Sequence, residues 1–164
     1  MLTRSVLDAL NDQIRLEFSS AYVYLSMSAH CEAENLPGFA KWLRMQWEEE
    51  LQHGMKLFGY VYERGGQVQL QGIEKPAAKW KSPADVFDHV LSHEQKVTAS
   101  INRLFEVAGK EKDYPTQVML QWFIKEQVEE EKNATEIIEL MKLAGASGPA
   151  LLMLDRQLGA RTRG

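Results

Sequence analysis

Glycine and proline divide this chain into four long pieces, and within each piece apolar residues recur every three or four positions. That spacing is the helical one, and an apolar stripe of such length can be buried only against other stripes. The chain therefore has to form an all-α bundle of long helices. The first piece runs from Thr3 to about Glu34 and breaks at Asn35-Leu36-Pro37-Gly38. The second runs from about Pro37 to Arg64, with Gly54 and Gly59 inside it, and stops at Gly65-Gly66. Ser82-Pro83, a cap followed by proline at the first helical position, opens a third that reaches Gly109. The fourth starts near Asp113-Tyr114-Pro115 and ends before Gly145, and a short fifth follows Ser147-Gly148-Pro149 to about Leu158.

The connections predict the topology. Short breaks at 35–38 and 109–114 make the first and last pairs antiparallel hairpins. The mixed stretch from Gly65 to Lys81, if extended, spans about 55 Å, enough to cross a bundle from end to end. Helices two and three are then parallel, with this crossover along the outside. Its alternating Gln67-Val68-Gln69-Leu70 also admits a hairpin strand, although no partner strand is evident. At 164 residues the whole is expected to be one domain over 1–164, with the bundle over about 3–144 and the short helix over about 148–159.

Every stripe carries an acid near its middle. The first reads Leu7, Leu10, Ile14, Glu17, Ala21, Tyr24, Ser28, and the second Phe39, Leu43, Gln46, Glu50, His53, Leu57, Val61. The third reads Phe87, Val90, Glu94, Val97, Ile101, Leu104, Ala108, and the fourth Leu120, Phe123, Gln127, Glu130, Ala134, Ile137, Met141. Glu17 and Glu50 lie 33 residues apart, as do Glu94 and Gln127. A shift of 77 residues places Glu17 on Glu94, Glu49 on Glu126, Glu50 on Gln127 and His53 on Glu130. The chain reads as two versions of one acid-bearing hairpin related by an approximate twofold axis.

Four carboxylates in a bundle core require compensation, because an isolated buried charge is very unfavourable. No lysine or arginine lies on these stripes at that depth. Shared protons could neutralise some of the acids. Metal cations would neutralise all of them and give His53, one turn from Glu50, a role as nitrogen ligand. Oxygen donors with a single imidazole suit iron or manganese, and the lack of cysteine ligands argues against structural zinc. A dinuclear centre is the expectation. A net charge of −4 suggests neither a nucleic-acid nor a membrane-surface partner. The single Cys31 fits a reducing compartment, and the absence of a leader pattern or an 18-residue apolar run leads us to expect a cytoplasmic protein.

At Glu17, Tyr24, Glu50-Leu51-Gln52-His53, Glu94 and Gln127-Val128-Glu129-Glu130, the chain resembles the ferritins, specifically the bacterial haem-free type, over essentially its whole length. The pattern of inward-facing glutamates and Glu-x-x-His is the one described for ferritin-like bundles in general. The resemblance assigns Glu17, Glu50 and His53 to one iron and Glu50, Glu94 and Glu130 to a second, with Glu50 bridging and Gln127 close by. It implies a third iron position made by Glu49, Glu126 and Glu129, sharing Glu130. Tyr24 resembles a tyrosine that supports the site and supplies an electron. Trp122, one residue off the stripe, could be a second redox-active aromatic or ordinary packing.

The resemblance further implies a hollow homo-oligomeric shell of 24 subunits that oxidises Fe(II) with O₂ or H₂O₂ and stores ferric oxyhydroxide. Leu151, Leu152, Met153, Leu154 and Leu158 of the fifth helix would meet symmetry mates about a fourfold axis, or else pack on their own bundle. Haem is not expected: Gln127 and Glu130 stand where haem-carrying relatives bring a second Glu-x-x-His, and position 52 is Gln52. Arg161 and Arg163 are too few for the basic tail of the DNA-protecting relatives. Thr116 to Leu120 lacks the acids that line the entry channel of animal-type ferritins. Two other readings stay open: a di-iron oxidase or peroxidase that stores no mineral, and a structural bundle whose core acids are protonated.

Overall fold

The computed structural model describes residues 1–162, so Arg163 lies outside the described residues. It contains five helices: α1 (Arg4–Ala33), α2 (Pro37–Glu63), α3 (Pro83–Lys110), α4 (Tyr114–Ala144) and α5 (Gly148–Gly159). Each begins where a side chain or proline can serve the exposed amides of a first turn. Thr3, Ser82, Asp113 and Ser147 accept from the backbone N–H of Val6, Asp85, Thr116 and Ala150. Leu36, which precedes α2, offers no such acceptor; Asp155 of α5 supplies it instead, its Oδ1 accepting from Phe39 N at 2.9 Å. The α1–α2 and α3–α4 turns close through Asn35 (φ 59°) and Lys112 (φ 56°), both in the left-handed region.

Side-chain pairings fix the directions of the helices. Ser28 bonds to Ala40 at one end of α1–α2, and Glu17 lies beside His53 further along, so the pair is antiparallel. Ser20 pairs with His93 and Ser100 with Gln13, so α1 and α3 are antiparallel as well. Helices α2 and α3 therefore run parallel, as the long crossover requires. That crossover lies along α1, where Gln67 and Gln69 bond to Asn11, Gln71 to Asp12, and Ala77 to Ser26. Residues 67–70 form no strand; the segment is an extended strap whose backbone is held by α1 side chains.

The core has two apolar ends. One gathers Tyr24, Met27, Phe39, Leu43, Phe87, Val90 and Ala134, and the other gathers Leu10, Ile14, Leu57, Val97, Ile101, Leu120 and Phe123. On each helix the predicted polar residues lie between these two groups, so one polar layer is sandwiched at mid-bundle. The stripes are buried as read, except that Val6 rather than Leu7 faces inward at the start of α1. No helix among the described residues is long and apolar enough to cross a membrane.

Candidate metal centre

Glu17 from α1, Gln46, Glu50 and His53 from α2, Glu94 from α3, and Gln127 and Glu130 from α4 make up the layer. Their exposures are 4% or less, so none of the four carboxylates reaches water in the way a residue at the edge of a stripe would.

Neutral donors hold three of the acids, Glu17 and Glu130 at one oxygen and Glu94 at both. Gln13 Nε2 donates to Glu17 Oε1 at 2.7 Å, and Gln13 is itself fixed by Ser100 at 2.6 Å. The Tyr24 hydroxyl donates to Glu94 Oε1, and Gln127 Nε2 donates to Glu94 Oε2 at 3.0 Å. Gln46 Nε2 donates to Glu130 Oε2 at 2.7 Å. Glu17 Oε2 and both oxygens of Glu50 accept no hydrogen bond from the described residues. His53 Nδ1 lies 4.0 Å from that Glu17 oxygen and 3.7 Å from Glu50 Oε2. Buried oxygens without a donor are rare, because each forfeits its hydration for nothing. Glu17 Oε2 and Glu50 Oε2 both lie within 4.0 Å of one imidazole nitrogen and with it make a cradle that a cation would satisfy.

The electrostatics agree. Burial, reinforced by the carboxylates of Glu94 and Glu17, pushes the Glu50 carboxyl well above the usual range. Burial raises Glu130 to about 8, with Glu94 and Glu49 adding to the effect. Glu94 reaches about 7 by burial, held back by the Tyr24 and Gln127 hydrogen bonds. Burial and the surrounding carboxylates likewise hold the Tyr24 phenol protonated. A layer of this kind takes up protons when no cation occupies it.

The expected residues are gathered unevenly. Glu17, Glu50 and His53 place ligand atoms within 4.8 Å of one another, and so do His53, Glu126 and Glu130. Glu94 joins neither group, being turned toward Tyr24 and Gln127. Of the three residues expected at the outer position, Glu126 is the one that joins such a group among the described residues. Glu49 is paired with Arg161, and Glu129 is exposed on the rim of an open cleft of about 830 Å³ that also borders His53 and Glu130. Trp122 sits on this rim, its ring centroid 5.4 Å from that of His53 and 4.4 Å from Lys56 Nζ, so it is a cleft residue and not core packing.

Sequence reasoning assigned no role to Gln13, Gln46 or Arg161. Gln46 had a signal, a polar residue on the α2 stripe one turn before Glu50. Gln13 lies off the α1 stripe, and Arg161 lies beyond the last helix, so periodicity is silent on both.

The model of the ferritin-like domain family matches residues 7–144. A probable bacterial non-heme ferritin-like protein of Haemophilus influenzae is 40% identical over 159 residues, covering 97% of this chain and 96% of that protein. A bacterial non-heme ferritin of Staphylococcus aureus is 38% identical over 162 residues, 99% of this chain and 98% of its own. Among solved structures, an open pore ferritin from the archaeon Archaeoglobus fulgidus superposes with a TM-score of 0.97 at 46% identity, covering 99% of both chains. With five helices in the expected order, a buried layer of glutamates at mid-bundle and matches spanning nearly its whole length, the chain belongs to the ferritin-like family.

Proposed function

We propose that this chain is an iron-storage subunit with ferroxidase activity: it binds two Fe(II) ions as substrate in the mid-bundle layer, oxidises them with O₂ or H₂O₂, and passes Fe(III) to a mineral inside a shell. The observation that carries this reading is the set of donorless oxygens on Glu17 and Glu50 facing the His53 nitrogen. A purely structural bundle has no use for donorless carboxylate oxygens from two glutamates beside an imidazole.

In this reading Glu17, Glu50 and His53 hold one iron and Glu50, Glu94 and Glu130 the other. Glu50 serves both, since neither of its oxygens accepts a hydrogen bond among the described residues. Gln13, Gln46, Gln127 and Tyr24 orient the remaining carboxylates through the hydrogen bonds described above. Binding of Fe(II) at neutral pH displaces protons from Glu94 and Glu130 to solvent. Anionic oxygen ligands stabilise Fe(III) over Fe(II), which favours loss of one electron from each ion to the oxidant. Tyr24, one hydrogen bond from Glu94, is placed to supply a further electron. Glu49, Glu126 and Glu129 form an outer third position in the cleft, on the way from the centre to the cavity. We further propose that residues 1–164 form one domain, that 24 copies assemble, and that the protein works in the cytoplasm, without haem and without a nucleic-acid or membrane partner.

Anaerobic Fe(II) titration, followed by O₂ or H₂O₂ and by sizing of the assembly, tests this. We expect saturation of a fast oxidation step at two Fe(II) per subunit, then slower deposition of many more ions per shell. Fast oxidation without deposition would leave a di-iron oxidase, and no metal uptake at all would leave a structural bundle.

A further inference from the structure

We infer that Arg161 is a displaceable cationic latch on the outer acidic cleft: it occupies Glu49 until a divalent cation takes that carboxylate, and the arrival of the cation frees the C-terminal tail. This rests on the proposed reading of the cleft as a third metal position.

After α5 ends, the chain turns back over α2 and inserts one side chain between two features of that helix. The Arg161 guanidinium stacks over the Trp42 ring, its Cζ 4.7 Å from the ring centroid. Its Nη2 donates to both Glu49 oxygens, at 3.0 and 3.1 Å, and Nη1 reaches the Trp42 carbonyl at 3.5 Å. Arg161 and Thr162 thereby border the same cleft as Glu49, Glu126, Glu129 and Glu130.

Three consequences follow from the chemistry of these groups. A guanidinium cannot lose its proton to make room for a metal ion, so it can yield Glu49 only by moving away. The guanidinium's fixed positive charge lies against both Glu49 oxygens and repels a divalent cation there, so the cation and the latch compete for that carboxylate. The body of α5 is pinned by Asp155 on Phe39 and by Lys41 Nζ on the Gly159 carbonyl at 2.8 Å, so the movement is confined to residues beyond Gly159. The pair is partly exposed, at 20% for Arg161 and 33% for Glu49, so it weakens the outer position without closing it. A weak outer position beside a strong inner pair suits a site that ions pass through. Linkage also requires that a bound cation loosen the tail by the same factor that the tail weakens the cation.

The test uses the assembled full-length protein and Zn(II) as a redox-inert probe. Isothermal titration should give two tight equivalents per subunit, unchanged in Arg161→Gln, and a third that is about fivefold tighter in Arg161→Gln than in the wild type. In the wild type, hydrogen–deuterium exchange at Ala160 and Arg161, whose amides bond to carbonyls of α5, should quicken once Zn(II) exceeds two equivalents. Arg161→Lys keeps the charge but loses the planar stack on Trp42 and the second nitrogen on its carbonyl, and should fall between the other two proteins. An unchanged third equivalent in Arg161→Gln, or tail exchange indifferent to Zn(II), overturns the latch. So does Arg161→Lys behaving as wild type in both measurements, because charge alone would then suffice. A third equivalent missing from every variant overturns it while the inner centre stands; loss of the first two equivalents sinks the metal reading as well.

Discussion

Glu50 is the buried acid with both oxygens uncommitted, whereas Glu17, Glu94 and Glu130 each accept a bond from a glutamine. If it serves both ions, Glu50→Ala should abolish fast oxidation, while Glu17→Ala should leave a slower but measurable phase. Stopped-flow absorbance at two Fe(II) per subunit reads the difference, and equal small losses would rule out a bridging carboxylate. Gln46 gives a second test. Gln46→Leu keeps its bulk, removes the donor to Glu130, and should weaken metal binding by about tenfold in calorimetry. The raised carboxyls also set a pH dependence for the metal-free protein. Glu94 at about 7 and Glu130 at about 8 bind protons more tightly in the folded than in the unfolded chain. Their contribution to stability is therefore fully present below the ordinary glutamate value and is lost as pH rises through their folded values. Thermal melts of the metal-free protein should fall between pH 5 and pH 8, by the equivalent of a few kcal/mol, and Zn(II) should remove most of that slope. A flat profile would mean that the acids are compensated in a way the hydrogen bonds do not reveal.

At the scale of the element, α5 and the start of α2 depend on each other. Gly38 is required there because a Cβ at that position would lie 1.7 Å from the Asp155 carbonyl oxygen, a backbone atom that cannot step aside. Asp155 in turn caps α2, which lacks a cap of its own. Gly38→Ala should dislodge α5 and destabilise the subunit by about 1–3 kcal/mol, as overpacking does elsewhere. Chemical denaturation would show it, and an unchanged midpoint would mean that α5 is docked more loosely than its contacts indicate. The outer acids of α4 belong to a different function of their helix. Glu126→Ala with Glu129→Ala should spare the initial oxidation at two Fe(II) per subunit and change the oxygen consumed per iron. Collapse of the initial step would move these residues into the inner site, and the position of Glu126 beside His53 makes that the sharper of the two outcomes to watch.

For the whole molecule, the fifth helix divides its apolar surface between two duties. Leu154 and Leu158 are buried against the helix's own bundle, while Leu152 and Met153 stand 57% and 73% exposed. Leu154 is therefore a poor probe of assembly, since a charge there would break the subunit first. If the helix meets symmetry mates, Leu152→Glu with Met153→Glu should dissociate the shell while far-ultraviolet circular dichroism stays unchanged. Size-exclusion chromatography with light scattering decides, and an intact shell would show that the exposed face contributes nothing to assembly.

The helix boundaries, the parallel course of α2 and α3, and the depth of the acid layer were all legible in the sequence. They follow from local chemistry: caps and breakers act within a few residues, and a 3.6-residue period repeats whatever it faces. Even the α5 boundaries followed from Ser147, Pro149 and the glycines. Tertiary structure alone decided three matters. It selected which acids of the layer have their oxygens held by donors and which, on Glu17 and Glu50, keep bare ones, because Gln13, Gln46, Tyr24 and Gln127 reach Glu17, Glu130 and Glu94 from other turns or other helices. It assigned Leu154 to the subunit's own core and Leu152 to its surface, because apolar residues fall on every side of this short helix and its one acid, Asp155, is buried as the α2 cap. It brought Arg161 onto Glu49, 112 residues away along the chain. No periodicity encodes that contact, since it depends on where α5 docks and how the chain turns after Gly159.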